Sequence, residues 1–171
     1  HTLQTLFPDP VHPNALWVGS SPECIVRVDT ERLVVTDSVR LPLATTGASW
    51  ATDVHRTPDD RLWIASRGGL VVVGTGPLRT VPALRGVPVR DLVAGPDGSL
   101  WAATETQGLV RVGSDALDVT RLGAALPTTH LISIILDDLG FAWVSGRSLL
   151  HRIRVADLAQ AFNVPAPIDV V

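Results

Sequence analysis

Short apolar runs alternate with polar residues and turn signals along the whole chain. The pattern is clearest in the third quarter, where the residues at 95–98 (Gly-Pro-Asp-Gly) form a turn between two apolar runs. Another polar loop, 105–108, separates the second run from the third. Four strands are predicted in this part of the chain, at 89–94, 100–104, 109–112 and 119–122. Their lengths and connections are typical of an antiparallel meander.

The same order of turn, Trp-containing strand, loop and apolar strand occurs four times. Four of the five Trp mark the copies, at Trp17, Trp63, Trp101 and Trp143, which lie 46, 38 and 42 residues apart. These spacings match the ~40–45 residues of a four-stranded propeller blade. Helical repeats of this length need long runs with a 3.6-residue period, which the segments lack. The sequence therefore predicts an all-β propeller made of four-stranded antiparallel blades.

We treat the chain as a single propeller region, 1–171, with about four blades. The predicted blades cover roughly 1–45, 46–84, 85–126 and 127–155. After them, apolar residues at Val155, Leu158, Ala159 and Phe162 predict a short amphipathic helix within a C-terminal segment, 156–171.

The composition narrows the classes of function. Of the 171 residues 46% are hydrophobic, and the mean hydropathy is +0.28, which excludes intrinsic disorder. A formal net charge of −3 is the wrong sign for a nucleic-acid or anionic-membrane surface. Apolar runs such as 131–136 are far shorter than the ~20 residues that span a bilayer. A single Cys, Cys24, cannot form an internal disulfide.

The residues show no catalytic or metal-binding motif. The five His form no i, i+4 pair and no His-Glu-x-x-His, and the paired acids recur at turns, where Asp bonds to nearby backbone. The repeated Trp is expected to pack between blades. We therefore predict no catalytic residue, metal or cofactor, and a module that binds rather than reacts.

Loop geometry selects the candidate ligand-binding residues. In a propeller, the loop between the second and third strands of each blade and the loop entering the first strand lie on one face. The first kind of loop supplies Glu23, Arg67, Glu105, Gln107 and Arg147, and the second supplies Trp50, Arg90 and His130. Arginines alternating with acid and amide groups suit a polar, hydroxyl-rich small molecule such as a sugar or sugar acid.

At these repeats the sequence resembles the two-component-regulator propeller repeats of bacterial hybrid histidine kinases and diguanylate cyclases. The family pattern is an apolar strand, Asp-x-x-Gly, a Leu-Trp strand, Gly-Leu and an apolar-Arg-apolar strand, and 89–112 matches it best. The second copy departs from it with Asp60-Arg61 in place of Asp-Gly, and the first copy shows no acidic turn at 12–15. The resemblance implies part of a periplasmic sensor in a signalling protein whose output enzyme lies outside this chain.

Two other functions stay open. One is a metal-dependent propeller enzyme of the lactonase or streptogramin-lyase type, with His130 and Glu105 as possible ligands. The other is a protein-interaction propeller. Four blades could close on themselves, but the resemblance favours part of a larger propeller. Its uncovered blade faces would then pack against further blades or against another copy.

Overall fold

A computed structural model describes residues 3–9, 11–20, 24–41, 50–74, 76–122, 126 and 128–163. The chain divides into two compact units, His1–Pro88 and Val89–Val171. The described part contains fifteen strands and is almost entirely β.

The first unit contains two antiparallel four-stranded sheets whose strands follow one another in chain order. Sheet 1 is formed by β1 (Leu3–Pro8), β2 (Ala15–Ser20), β3 (Cys24–Asp29) and β4 (Val34–Arg40). Sheet 2 is formed by β5 (Ala51–Arg56), β6 (Leu62–Ser66), β7 (Gly69–Val73) and β8 (Arg79–Thr80). A 3-10 turn, Pro82–Leu84, follows β8.

The second unit contains a four-stranded and a three-stranded sheet, also in chain order. Sheet 3 is formed by β9 (Val89–Ala94), β10 (Leu100–Thr104), β11 (Leu109–Val112) and β12 (Val119–Arg121). Sheet 4 is formed by β13 (Leu131–Leu136), β14 (Phe141–Gly146) and β15 (Leu150–Arg154), and helix α1 (Val155–Asn163) follows it. The predicted antiparallel meanders and the C-terminal helix are confirmed.

Sheet 4 differs from the prediction because its described residues form three strands rather than four. The chain enters α1 directly after β15, and the Val155 N–H donates to the Gly140 carbonyl. Leu158, Ala161 and Phe162 are buried in the core of the second unit. The residues expected to continue into a fourth strand form a helix instead, because the helix buries its apolar side chains in that core.

The turns before Trp63, Trp101 and Trp143 each place a glycine or an aspartate in the left-handed region of the backbone. Gly98 and Gly140 have φ of +78° and +83°, and each closes its turn with a backbone hydrogen bond. Asp60 takes the same position with φ of +64°. Aspartate is one of the few side chains that tolerate this region, so the second copy keeps its turn without glycine.

Three of the four repeated Trp donate their indole N–H to a side chain at the preceding turn, whereas the Trp101 Nε1 has no hydrogen-bond partner among the described residues. Trp63 donates to the Thr57 hydroxyl and Trp143 to the Asp137 carboxylate, both six residues earlier. Trp17 donates to Asp9 at 3.0 Å, eight residues earlier. The sequence interpretation that the first copy lacks a turn acid is wrong. Asp9 accepts the indole hydrogen bond from eight residues before Trp17. A comparison that assumes the six-residue spacing of Trp63 and Trp143 does not find it.

The core lies between neighbouring sheets of each unit. In the first unit Trp17 is 1% exposed and packs with Leu62 and Ile64 of sheet 2. In the second unit Trp101 is fully buried and packs with Ile134 of sheet 4. The predicted packing role of the Trp is confirmed for these two. None of the helices in the described part of the chain is long and apolar enough to span a bilayer.

Candidate functional site

Antiparallel pairing places the candidate loops of the second unit at one edge of their sheets. The end of β10 pairs with the start of β9, through Thr104 and Val89. In the same way the end of β14 pairs with the start of β13, through Gly146 and Leu131. The loop after each second strand therefore lies beside the start of its first strand, as the sequence predicted. We call this the loop edge.

A buried hydroxyl at the end of the second strand shapes two of these loops. Thr104 is fully buried, and its hydroxyl donates to the Gly108 carbonyl at 2.8 Å and accepts from the Gln107 N–H at 2.9 Å. Ser66 does the same in sheet 2, with Gly69 and Gly68 as partners. The residues that follow these hydroxyls are Glu105, which is half-buried, and Arg67, which is exposed.

Arg90 and Glu105 form an ion pair at the loop edge of sheet 3. The Arg90 Nη1 lies 3.3 Å from the Glu105 Oε1, and both side chains are partly exposed, at 32% and 20%. Nearby in sequence, the Gln107 side-chain oxygen accepts from the Arg121 Nε at 2.6 Å. Glu105 and Gln107 thus each accept from an arginine that stays accessible to solvent.

Arg147 and His130 form the corresponding contact in sheet 4. The Arg147 Nε donates to the His130 Nε2 at 3.3 Å, and Arg147 is exposed. A backbone hydrogen bond of 2.9 Å from the Gly108 N–H to the Thr129 carbonyl joins the loop of sheet 3 to the segment before β13. This bond brings both arginine contacts to one continuous edge of the second unit.

The first unit holds another pair of the predicted residues. The Arg67 guanidinium lies 5.3 Å from the centre of the Trp50 ring, a cation–π contact. Arg67 is exposed and Trp50 is half-buried, so both present a face to solvent. Glu23 lies outside the described residues.

The sequence interpretation missed a polar residue that recurs in every first strand. Thr5, Asp53, Asp91 and Ser133 all sit at or beside a register irregularity of β1, β5, β9 and β13. Two of these link neighbouring sheets, because Thr5 donates to the Ala51 carbonyl at 3.1 Å and Asp91 accepts from the Ser133 hydroxyl. The signal in the sequence was a polar residue ten residues before Trp63, Trp101 and Trp143, and twelve before Trp17.

Shifted acid pKa values occur at the turns, away from the loop edge. Burial opposes ionisation of Asp9, but hydrogen bonds from the Val11 and His12 backbone and the charge of Arg56 bring its pKa below the ordinary value. The Asp137 pKa is lowered chiefly by the hydrogen bond from Trp143, and then by that from the Phe141 backbone.

Asp97 resembles these two acids. Burial raises its pKa, but hydrogen bonds from Ser99 and the charge of Arg111 outweigh burial and lower it. The Arg111 guanidinium lies 2.7 Å from the Asp97 carboxylate. All three acids are ionised turn residues, which supports a structural role for them.

The described part of the chain holds no metal cluster: within it no three His, Cys, Asp or Glu side chains are grouped so as to hold a metal ion. A groove of about 310 Å³ opens at the turn end of sheet 1, beside Asn14 and Arg27. The Asn14 amide and the Arg27 Nε donate to Glu31 and Thr36 there. At the loop edge, the solvent-accessible side chains of Arg90, Glu105 and Arg147 form a polar surface.

Comparison with known proteins identifies the architecture. No protein-family model and no curated protein matches the chain. Among solved structures, the extracellular domain assigned to the hybrid two-component system BT3049 of B. thetaiotaomicron is similar, with 15% identity and a TM-score of 0.69 over 96% of this chain and 23% of that one.

Two further solved structures are similar over 99% of this chain. They are the β-propeller domain of Swd1 from Myceliophteria thermophila, at 13% identity and a TM-score of 0.67, and virginiamycin B lyase from Staphylococcus aureus, at 15% and 0.69. The chain covers 56% and 55% of their lengths, so it spans between about a quarter and just over half of the three structures. Together these likenesses show that the chain has the β-propeller fold.

Proposed function

We propose that the chain is the non-catalytic, ligand-binding part of an extracytoplasmic sensor in a bacterial two-component or cyclic-di-GMP signalling protein. The observation that carries this is the loop edge of the second unit. There two accessible arginines, Arg90 and Arg147, face side chains that a ligand can replace. The likeness to the extracellular domain of a hybrid two-component system supports a sensor rather than an isolated binding protein.

The loop edge favours an anionic, hydroxyl-rich ligand. A guanidinium binds a carboxylate through two parallel N–H groups, and to do so Arg147 gives up only one long hydrogen bond to the His130 Nε2. Glu105 and Gln107 supply acceptors for sugar hydroxyls beside it. A sugar acid offers both a carboxylate for the arginine and hydroxyls for these acceptors, whereas a neutral sugar offers only the hydroxyls.

The first unit adds a surface of a different kind. Trp50 offers an aromatic face of the type that stacks on sugar rings, and Arg67 holds its orientation from one side. We propose Trp50 and Arg67 as ligand contacts in that unit, and Glu23 as a further one by its place in the loop after β2. No nucleic acid, cofactor or metal is required by this function.

Calorimetric titration with a hexuronic acid and the matching neutral hexose tests the proposal. We expect the acid to bind more tightly, and Arg90→Ala and Arg147→Ala each to weaken it about tenfold or more, the cost of a charge-assisted hydrogen bond. Arg79→Ala is the matched control, because Arg79 is an exposed arginine on β8, outside the candidate loops. Equal affinity for both sugars, or equal losses in all three variants, would overturn the proposed site.

A second candidate function is a metal-dependent lyase or lactonase. Its support is the likeness to virginiamycin B lyase over 99% of this chain. Adding Mg²⁺ or Mn²⁺ to the same titration, with and without a chelator, separates the two functions. A divalent ion that stabilises the chain and loses its effect in His130→Ala and Glu105→Gln would favour the enzyme.

A further inference from the structure

An arginine on the third strand lies over the repeated Trp in sheets 1 and 4. Trp17 pairs with Arg27 across β2 and β3, as Trp143 pairs with Arg152 across β14 and β15. The Arg27 guanidinium lies 5.9 Å from the centre of the Trp17 ring, and the Arg152 guanidinium lies 5.6 Å from that of Trp143. The two sheets therefore hold the same Trp–Arg pair in nearly the same arrangement.

Sheet 4 adds an aromatic ring to this pair, and sheet 1 does not. Phe141 lies two residues before Trp143, on the same face of β14, and the centre of its ring is 3.7 Å from the Arg152 guanidinium. Ala15 takes the corresponding place, two residues before Trp17 on β2. A methyl group is too short to cover an arginine as the Phe141 ring does, so sheet 1 lacks the third member of the stack.

The groove of about 310 Å³ in sheet 1 lies beside this missing ring. Ala15 and Arg27 both line it, together with the turn between β1 and β2 and with Asp29 and Thr36. A cavity of about 150 Å³ binds benzene, so the groove has room for one ring and its substituents. It opens on the face of sheet 1 that carries Trp17, which packs against sheet 2. A further sheet on the opposite face of sheet 1 would leave the groove open.

The Arg27 guanidinium is available to a ligand in this groove. Arg27 is half-buried, and within the described residues its side chain donates a hydrogen bond only to the Thr36 hydroxyl, from Nε at 3.1 Å. In sheet 3 the arginine at the matching register position, Arg111, is held instead by the Asp97 carboxylate at 2.7 Å. Because Arg27 forms no such ion pair in the described part of the chain, its Nη groups and one face of its guanidinium remain for a ring to stack on.

The acids at the groove select the kind of ring. Asp29 lines the groove, and Glu31 accepts a hydrogen bond of 2.8 Å from Asn14, another lining residue. An aromatic carboxylate would meet both negative charges. A phenol does not, and its hydroxyl can donate to Asp29, whose Oδ1 accepts two backbone N–H groups while the carboxylate as a whole has room for about four hydrogen bonds. A neutral ring also keeps the negative π face that attracts a guanidinium.

We infer that the groove binds a small monocyclic phenol, with its ring stacked on the Arg27 guanidinium as the Phe141 ring is stacked on Arg152. The ring lies against Ala15, and its hydroxyl donates to Asp29. The chain thus shows within sheet 4 which group fits beside such an arginine. The site lies at the turn end of sheet 1, so it is separate from the loop edge and does not rest on the proposed function.

NMR titration of the full chain with three probes tests this site. Catechol is the phenol, cyclohexanediol carries the same hydroxyls without a π face, and benzoate carries the same ring with a negative charge. We expect catechol to shift the Ala15 methyl and Arg27 Nε–H resonances in a saturable way. The other two probes should bind about tenfold more weakly or worse, because each lacks one of the two interactions.

Variants at the groove locate the binding. Ala15→Phe supplies the missing ring from the chain itself, so it should abolish catechol binding and leave the unfolding temperature at or above that of the wild type. Arg27→Gln removes the guanidinium and should weaken binding about tenfold or more. It also serves if Ala15→Phe fails to fold. Arg40→Ala is the matched control, because Arg40 is an exposed arginine opposite Cys24, at the other end of sheet 1.

Three results would overturn the phenol site. The first is a catechol titration that does not saturate, and the second is equal binding of catechol and cyclohexanediol. The third is catechol affinity that Arg27→Gln and Arg40→Ala change equally. N-acetyltyrosinamide carries the same kind of ring on a peptide backbone. If it bound more tightly than catechol, the groove would belong to a tyrosine side chain of a protein partner, and the assignment to a small phenol would be wrong.

Discussion

Asp91 on β9 accepts a hydrogen bond from the backbone N–H of Ile134 on β13, with 2.8 Å between the two atoms. The Ser133 hydroxyl donates to the same carboxylate. The first strands of sheets 3 and 4 belong to separate hydrogen-bonded sheets, so this carboxylate supplies a polar link that the strand ladders do not.

Replacing this carboxylate should destabilise the chain. Asp91→Ala leaves the Ile134 N–H and the Ser133 hydroxyl without their acceptor in a partly buried place, so we expect a loss of about 1–3 kcal/mol in the free energy of unfolding. Urea denaturation measures it. Asp138→Ala, at an exposed turn position, is the control and should change the midpoint little. Equal losses in both variants would remove the special role of Asp91.

Gly95 should be intolerant of a side chain. A Cβ there would lie 2.7 Å from the Trp101 Nε1 and 2.9 Å from the Ser99 Oγ, because the indole occupies the space that a side chain would need. We expect Gly95→Ala to cost about 1–3 kcal/mol of stability by overpacking. Gly76→Ala meets nothing within 4 Å and is the matched control. Thermal unfolding of both variants should separate them clearly, and a harmless Gly95→Ala would mean that Trp101 can move aside.

Trp101 and Trp143 should contribute differently to stability. Trp101 is fully buried, so Trp101→Ala should cost about 3–5 kcal/mol. Trp143→Ala should cost markedly less, because the Trp143 side chain is only half-buried. Denaturation at low protein concentration makes the comparison. Equal costs would contradict the difference in burial.

Stability should fall in two steps as the pH is lowered. Burial lowers the pKa of His55 below its ordinary 6.5, so the unfolded chain takes up this proton before the folded one does. The stability that a neutral His55 contributes is complete above pH 6.5 and is lost as the pH falls towards the folded value. The second step belongs to Asp9, Asp97 and Asp137, whose pKa values are lowered. It begins near their ordinary value of 3.8 and continues below it.

Two substitutions assign these steps. His55→Gln should reduce the loss of stability between pH 7.5 and 5.5 and leave the loss below pH 4 intact, since glutamine does not titrate. Asp137→Asn should reduce the loss of stability below pH 4 and leave the loss between pH 7.5 and 5.5 intact. Urea midpoints across this pH range measure both effects. A His55→Gln profile parallel to wild type would show that another group causes the first step.

Local pattern was enough for most of the secondary structure. The strands at Val89–Ala94, Leu100–Thr104 and Leu109–Val112 were predicted with their observed bounds, because turn residues and alternating apolar positions mark them. Helix α1 was predicted from its apolar spacing in the same way. Asp9 was missed because its partner lies across a turn of unexpected length, which no fixed spacing reveals.

The candidate site was predicted less completely. Loop position predicted Arg90, Glu105, His130 and Arg147 on one face without pairing them, and the structure brings Arg90 to Glu105 and Arg147 to His130. The sequence did not show which of these side chains contact each other, because those contacts depend on side-chain conformations and on residues that are distant in the sequence.

The repeat, the strands, the turns and the position of one Trp in each copy could be predicted from the sequence, because they depend on residue type and spacing over a few positions. The burial of each Trp, and the acids and hydroxyls that bridge neighbouring sheets, became visible in the folded chain. The tertiary structure also showed that the predicted site residues form pairs. Trp101 and Trp143 occupy the same position of the repeat, but Trp101 is fully buried in the core of the second unit and Trp143 is half-buried. The burial of a side chain depends on which residues pack against it, so it cannot be predicted from the local sequence pattern alone.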